Sequence, residues 1–307
     1  MSRALITGIS GFVGKHLQHQ LASHGWQVFG FDVRAQGENV FVGDLTDHAA
    51  LSNAIVQSKP DAIFHLAGVI KSDAPEIFYK VNLLGTLALF DAIMEVGILP
   101  KVVVASSSAV YGRTSGEKPI SERMHLHPVT DYAVSKVAQE TAALRYFDSF
   151  GLPVTIVRMF NLLGPGQSAD LACSAFARQI ALTELTGRKE IVTGNLDARR
   201  DFVDVRDTVR AFELVAKMGK PGQVYNVCSE RAVAIKKCLS EMMFMSPNQL
   251  SARVDADRVQ KNDVPVQVGS YQKLYKAAGW RPKISLRQSL SDLLNDWRER
   301  VKEVESK

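Results

Sequence analysis

Arg3-Ala4-Leu5-Ile6-Thr7-Gly8-Ile9-Ser10-Gly11-Phe12-Val13-Gly14 stands almost at the start of the chain. A short apolar run leads into glycines spaced G-x-x-G-x-x-G. The run predicts a buried strand over Arg3–Thr7. The residues beyond it predict a helix over Phe12–Ser23, with Val13, Leu17 and Leu21 on one face. Between a strand and a helix the glycines have distinct uses. One permits the tight turn, one lets a pyrophosphate approach the backbone, and one lets helix and strand pack closely. The helix N-terminus then offers free N–H groups to phosphate. Gly8, Gly11 and Gly14, with Phe12 and Val13 of the first helical turn, are therefore candidate cofactor-binding residues.

Outward from this turn, short β-branched runs alternate with longer amphipathic stretches, the signature of βαβ units around a parallel sheet. Further strands are predicted at 27–31, 40–42, 61–66, 101–105 and 154–157, and helices at 49–58, 78–96 and 132–150. The rhythm fades after Asn161, where Leu162-Leu163-Gly164-Pro165-Gly166-Gln167 has loop chemistry. A helix at 173–184 and a strand at 190–192 follow. The stretch 202–205, a helix near 207–217 and a strand at 224–227 resume the first pattern, and a helix covers 286–301. The fold class is α/β: a Rossmann-type doubly wound parallel sheet with a smaller, interleaved α/β lobe. Residues 1–161 form the dinucleotide-binding domain, and 202–227 return to it. Residues 162–201 and 228–307 form the substrate-binding lobe, and the ligand is expected in the cleft between.

Asp32 ends the second strand. A carboxylate there accepts hydrogen bonds from the adenosine ribose and repels a 2′-phosphate, so it favours NAD and leaves NADP as the second choice. Arg34 offsets this if it pairs with a phosphate, and otherwise is a solvated loop residue. Asp44-Leu45, after the third strand, is placed to reach the adenine.

Tyr132 and Lys136 lie one helical turn apart on one face. An ammonium beside a phenol favours the phenolate, so Lys136 is expected to lower the Tyr132 pKa and make it a general acid/base. The fifth strand runs into Ser106-Ser107-Ser108-Ala109-Val110-Tyr111-Gly112. Open α/β sheets bind ligands at that edge, and a serine there can donate to a substrate oxygen. Ser107 is the candidate. Ser106 and Ser108 serve backbone groups in the turn, with Ser108 also within the substrate-facing set.

Taken together, these residues resemble the extended short-chain dehydrogenase/reductase family, in its group acting on nucleotide sugars. The resemblance spans essentially the whole chain. It rests on Gly8-x-x-Gly11-x-x-Gly14, Asp44-Leu45, His65-Leu66-Ala67, Asn82 with Gly85-Thr86, Ser107 to Tyr111-Gly112 and Tyr132-x-x-x-Lys136. It continues in Arg158-x-x-Asn161-x-x-Gly164-Pro165-Gly166, Arg200-Asp201-Phe202-Val203-Asp204-Val205 and Tyr225-Asn226-Val227. Within the family, Gly164 to Ser168, Tyr225 to Ser229 and Asp263-Val264-Pro265 are similar to GDP-4-dehydro-6-deoxy-D-mannose reductases.

The resemblance implies a catalytic set of Ser107, Tyr132 and Lys136. Tyr132 would exchange a proton with the sugar O4 while hydride moves between C4 and nicotinamide. It implies Leu66, Ala67 and Asn82 at the cofactor, and Asn161, Arg178, Arg200 and Arg258 at a nucleotide-diphosphate sugar, GDP-linked by the subfamily match. Arg200 has an alternative use, an ion pair with Asp201 or Asp204. The resemblance also implies a homodimer through a four-helix interface built from helices 78–96 and 132–150.

The sequence departs from the family pattern in two places. Where 4,6-dehydratases carry acidic residues after the catalytic serine or threonine, this chain has Ser108 and Ala109, so water elimination lacks its acid and base. Where relatives place a diphosphate-binding arginine, this chain has Gln260, flanked by Arg258 and Lys261. Simple C4 redox chemistry survives both departures. A ketoreductase is the first reading. An NAD-dependent 4-epimerase with tightly held cofactor needs the same catalytic set and is the alternative. A non-catalytic cofactor sensor is remote, because tyrosine and lysine are both retained.

Composition sets the outer bounds. The chain has 307 residues, 46% hydrophobic and 22% charged, enough for a large core without disulfide or metal staples. A net charge of +5 is scattered rather than clustered, which argues against nucleic-acid binding. No apolar run of membrane-spanning length and no signal peptide is expected. Cys173, Cys228 and Cys238 form no CxxC pair, so neither a disulfide framework nor zinc is expected, and a reducing cytoplasm fits. Cys173 and Cys228 are read as small buried hydrophobes, His65 as a packed or turn residue, and His125 and His127 as loop residues. Trp26, Trp280 and Trp297 are read as core or interface anchors.

Overall fold

Parallel strands with helices between them build the first half of the chain. In order these are β1 (Arg3–Thr7), α1 (Phe12–Ser23), β2 (Gln27–Asp32), β3 (Val40–Val42), α2 (His48–Ser58) and β4 (Ala62–His65). Then α3 (Pro75–Phe78), a π turn (Tyr79–Leu84) and α4 (Gly85–Val96) form one continuous helical segment. β5 (Lys101–Ser107), a 3-10 turn (Ser108–Tyr111), α5 (Asp131–Phe150) and β6 (Val154–Met159) complete this half. The rest runs β7 (Asn161–Leu163), α6 (Ala172–Thr186), β8 (Glu190–Thr193), β9 (Arg199–Asp204), α7 (Val205–Met218) and β10 (Val224–Val227). It ends with β11 (Ala232–Ala234), α8 (Ile235–Phe244), β12 (Ser251–Val254), β13 (Val266–Gln267), α9 (Gln272–Ala278) and α10 (Leu286–Glu305). The computed structural model describes residues 1–34, 37–114, 118–256 and 264–305.

Seven strands form the main sheet in the order β10-β6-β5-β4-β1-β2-β3, all parallel. The order reverses between β1 and β4, so their carboxyl ends open a crevice where doubly wound sheets bind ligands. A second sheet has the order β11-β9-β13, with β7 also paired to β9, and β8 pairs with β12.

The strand over 202–204 corrects one expectation. It does not return to the main sheet but lies within β9, flanked by β7, β11 and β13. The main-sheet place beside β6 is taken by β10, through pairs such as Val224 with Ile156. The predicted helix 78–96 is also divided. The Thr86 hydroxyl donates to the Asn82 carbonyl at 2.7 Å, and a side chain that captures a backbone carbonyl competes with the regular ladder. Residues 79–84 form a π turn, a wide turn often found at functional sites.

Alternate residues of β1 feed opposite faces of the sheet, as expected for a strand covered on both sides. Ala4 and Ile6 join Leu17, Leu21, Phe64, Phe212 and Trp280, while Leu5 joins Phe31, Leu51, Phe90, Ile93 and Tyr146. A third core holds Phe176, Ile180, Leu290, Leu294 and Trp297. All three tryptophans are thus core residues. Among the described residues, one helical segment, Pro75–Val96, is long and apolar enough to cross a membrane, contrary to the expectation of no such run. Here its Leu89, Phe90 and Ile93 are fully buried against the sheet.

Candidate active site

The glycine turn closes on itself before any ligand is considered. Gly8 has φ +74°, a conformation suited to glycine, and its N–H donates to Phe31 O at 2.8 Å. A Cβ on Gly8 would meet Ala67 N at 2.7 Å, and one on Gly14 would meet Gly8 O at 2.2 Å. Phe12 and Val13 begin α1, whose N-cap is Gly11 and whose first N–H groups have no side-chain cap. Phe12 stacks edge-on against His16, and His16 Nε2 bonds Pro165 O at 2.9 Å, which ties α1 to the loop after β7.

Asp32 ends β2. Its Oδ2 accepts from Ser10 N at 3.0 Å and Ser10 Oγ at 2.6 Å, while Oδ1 accepts from Arg34 N at 3.2 Å. The Arg34 side chain is exposed. Asp44 is exposed, and hydrogen bonds from Thr46 hold its carboxyl below the usual range. Leu45 is buried against Gly85. Leu66 and Ala67 form the floor beside Gly8, with Leu66 N donating to Thr7 O and Ala67 N to Thr7 Oγ1.

Asn82 lies in the π turn, beside the strap after β4. It is fully buried, and its amide donates to Val69 O at 3.0 Å and Ser135 Oγ at 2.9 Å while accepting from Val69 N. Asn82 therefore holds the strap after β4 in place and spends its side chain on protein partners.

Ser107, Tyr132 and Lys136 meet at the carboxyl end of β5. Strand β5 extends to Ser107, past the predicted end at 105, and Ser107 Oγ accepts from Ala109 N at 3.1 Å. The Tyr132 hydroxyl lies near Ser107, whose side chain opposes the rise in its pKa. Helix α5 carries both Tyr132 and Lys136. It is capped by Thr130 Oγ1, which accepts from Ala133 N at 3.2 Å. Lys136 is only 6% exposed, and its Nζ lies 4.0 Å from where a Cβ on Gly68 would sit. Burial lowers its pKa to about 8, against a pull upward from Glu140. Tyr132 departs from expectation in direction. Burial raises its pKa, Ser107 only opposes this in part, and the phenol is held protonated.

On the substrate side, Asn161 Nδ2 donates to Asp201 O at 3.3 Å, and Arg200 donates to the carbonyls of Arg199 and Val264. Asp201 is fully buried and accepts from Ser229 N, Ser229 Oγ, Glu230 N and Gly269 N; burial nonetheless raises its pKa to about 6. Asp204 is engaged by Arg206 and Ser289. Ser108 is 5% exposed, donates to Gln267 Oε1 at 3.0 Å and accepts from Gln267 at its own carbonyl, so it ties β5 to β13 rather than facing the crevice. Arg178 is exposed on α6. Arg258, Gln260, Lys261 and Asp263 lie outside the described residues.

All three cysteines are free and buried, and no metal-binding cluster is present among the described residues. A surface hollow of about 570 Å³ lies at the opposite edge of the sheet, between Lys59, Asp61, Leu99 and Pro100, away from this constellation.

A model for the NAD dependent epimerase/dehydratase family matches residues 4–228. The chain belongs to this family. It is 34% identical to a GDP-6-deoxy-D-mannose reductase of Pseudomonas aeruginosa, over 98% of this chain and 99% of that protein. It is 30% identical to a GDP-6-deoxy-D-talose 4-dehydrogenase of Aggregatibacter actinomycetemcomitans, over 90% and 91%. The structure of RMD from Pseudomonas aeruginosa complexed with NADPH superposes with a TM-score of 0.89 at 33% identity, covering 97% of this chain and all of that one.

The cofactor of this epimerase/dehydratase chain is a nicotinamide dinucleotide, NAD or NADP, and the residues present fit it. Gly8 and Gly14 leave no room for a Cβ against Ala67 and the turn's own backbone, which keeps the turn tight, and α1 begins at Gly11 with no side-chain cap, so its first N–H groups can take a diphosphate.

Beneath the site lies a polar network in which His65 is the packed residue the sequence suggested, while Thr7 and Gln139 carry no role readable from the sequence. Thr7 Oγ1 bonds His65 Nδ1 at 2.7 Å, His65 Nε2 bonds Thr86 Oγ1 at 2.8 Å, and Gln139 Nε2 donates to Thr86 Oγ1 at 2.7 Å. Thr86 has spent its own proton on Asn82 O, so His65 carries its proton on Nε2. Burial, reinforced by Lys136, holds the His65 pKa down at about 3. The available signal was polar residues inside otherwise apolar elements, which buried networks require.

Proposed function

We propose that this chain is an NAD(P)H-dependent ketoreductase acting at C4 of a GDP-linked 4-dehydro-6-deoxyhexose. One observation carries the reading. Ser107, Tyr132 and Lys136 converge at the carboxyl edge of the sheet, followed by serine and alanine instead of carboxylates, in a chain that matches a GDP-6-deoxy-D-mannose reductase end to end.

Bound nicotinamide supplies the hydride. Tyr132, held protonated by burial, donates its proton to the sugar O4, and Ser107 hydrogen-bonds the same oxygen. The Lys136 ammonium steadies the phenolate left behind. Gly8, Gly11, Gly14, Phe12 and Val13 take the cofactor diphosphate, Asp32 the ribose, and Asp44 and Leu45 the adenine. Asn161 and Arg200 serve the nucleotide sugar. Asp32 makes NADH the preferred donor. Pairing through the helical segment 78–96 and α5 makes the active form a homodimer.

The test is incubation with GDP-4-dehydro-6-deoxy-D-mannose and NADH or NADPH, with nicotinamide absorbance and product mass followed together. Equimolar cofactor oxidation and a product two hydrogens heavier are expected, and NMR of the product reads the configuration at C4. Tyr132→Phe is expected to lower turnover by about 10²–10⁴-fold. Tightly held NAD, with GDP-sugar isomerisation and no net cofactor consumption, would replace this reading by a 4-epimerase.

A further inference from the structure

Glu140 lies one helical turn beyond Lys136 on α5, continuing the face that carries Tyr132. It is 2% exposed and forms a two-pronged ion pair with Arg158 of β6, itself 5% exposed: Nε to Oε1 at 2.9 Å and Nη2 to Oε2 at 2.6 Å. Ser106, immediately before Ser107, donates to the same carboxylate. Behind it, Arg158 Nη1 donates to the Tyr111 hydroxyl at 2.9 Å, Tyr111 donates to Asn226 Oδ1 at 2.7 Å, and Asn226 donates to Ile120 O. The pair therefore grips both the strand that delivers Ser107 and the helix that delivers Tyr132 and Lys136.

A buried ion pair is weak support for stability, since desolvation offsets most of its attraction. Its orientation is more telling. The negative end acts on Lys136, and Arg158 faces away, toward Tyr111 and β10. Among the described residues, the other charged and titratable groups near Lys136 are Tyr132 on its own helix and His65 on β4, which is neutral. Lys80 of the π turn acts on Asp44, and Glu122 is bonded to Asn226 N.

We propose that Glu140 is a positioning residue: anchored by Arg158 and Ser106, its carboxylate keeps the Lys136 ammonium charged where Tyr132 gives up its proton. This deepens the ketoreductase reading and rests on it for the use made of Lys136. When the Tyr132 proton passes to O4, negative charge develops on the phenolate, and a fixed ammonium stabilises it without solvent reorganisation. Burial alone drives Lys136 toward the neutral amine, which would leave that charge unmatched.

The test reads Lys136 directly, by NMR titration of protein labelled at the lysine Cε. The Lys136 resonance is identified by its loss in Lys136→Met. Glu140→Gln removes the negative end and is expected to shift the titration down by about one pH unit or more. Arg158→Gln leaves the carboxylate unopposed and is expected to shift it up. Loosened packing would rehydrate the ammonium and move both variants up, so a shared direction or no shift overturns the proposal. Should Glu140→Gln not fold, Glu140→Gln/Arg158→Gln strands no charge and is also expected to shift down; an unchanged or raised titration overturns the proposal. The alkaline limb of kcat/KM is expected to follow Lys136 in each variant. If the wild type reduces no GDP-sugar, the ketoreductase reading falls, while the titration still decides whether Glu140 controls Lys136.

Discussion

At Gly14 the side chain is a hydrogen because the backbone leaves room for nothing else. A methyl there would lie 2.2 Å from Gly8 O and 2.7 Å from Ile9 O, both backbone atoms of the turn itself. Gly14→Ala is expected to cost about 1–3 kcal/mol of stability and to weaken dinucleotide binding by about tenfold or more. Thermal melts with and without cofactor read both. In the proposed reading, Asp32 selects the cofactor by charge rather than shape. Its carboxylate faces Ser10 and the end of the glycine turn, where a 2′-phosphate would bring like charge. Asp32→Ser is expected to raise the kcat/KM ratio of NADPH to NADH by about tenfold or more, equivalent to about 1.4 kcal/mol. An unchanged ratio would remove Asp32 from cofactor choice.

Helix α5 and the π turn act as a matched pair of elements. Asn82 reaches across to Ser135, and Thr86 accepts from Gln139, so the distortion of one helix is fitted to the face of the other. His65 closes this junction onto β1 and makes it sensitive to acid. Its pKa is about 3 in the folded chain and near the ordinary value of 6.5 when unfolded. The unfolded state therefore binds the extra proton between those values, and stability is lost as pH falls below about 6.5. Asp201 runs the other way. Its raised pKa means that the folded state holds a proton longer, so its contribution falls as pH rises toward 6. Comparison with His65→Asn cancels the Asp201 effect. The stability advantage of wild type over this variant is expected to shrink by about 2 kcal/mol from pH 7 to pH 5, read by urea denaturation at each pH. A constant difference would show that His65 is not a buried neutral base.

For the whole molecule, the proposed self-association falls on the same helical layer. Leu84 in the π turn is 52% exposed and Val134 on α5 is 38% exposed, apolar residues on neighbouring elements that carry the site. Sedimentation velocity at micromolar concentration is expected to give a species of about 68 kDa, twice the chain mass of 33.8 kDa. Leu84→Arg with Val134→Arg is expected to return it to the monomer. A wild-type monomer would end the dimer reading. The two sheets are joined within one chain by the Ser108–Gln267 clamp and by Asp201, which accepts from the loops at 229–230 and 269. The rigid floor and the second sheet are thus fastened at the edge where Ser107 stands.

Local sequence determined what local physics controls. The glycine spacing, the parallel strand rhythm and the i, i+4 placement of Tyr132 and Lys136 depend on neighbours within a turn or a strand, and the folded chain shows them where they were read. Tertiary structure decided whatever depends on burial or long-range pairing. It placed residues 202–204 in the second sheet, because β10 already occupies the edge of β6. It turned Asn82 and Ser108 inward, because Val69, Ser135 and Gln267 arrive from distant segments to bond them. It also reversed the expected shift of Tyr132. The charge of Lys136 is legible in the sequence, but the loss of water around the phenol is not, and desolvation is the larger effect.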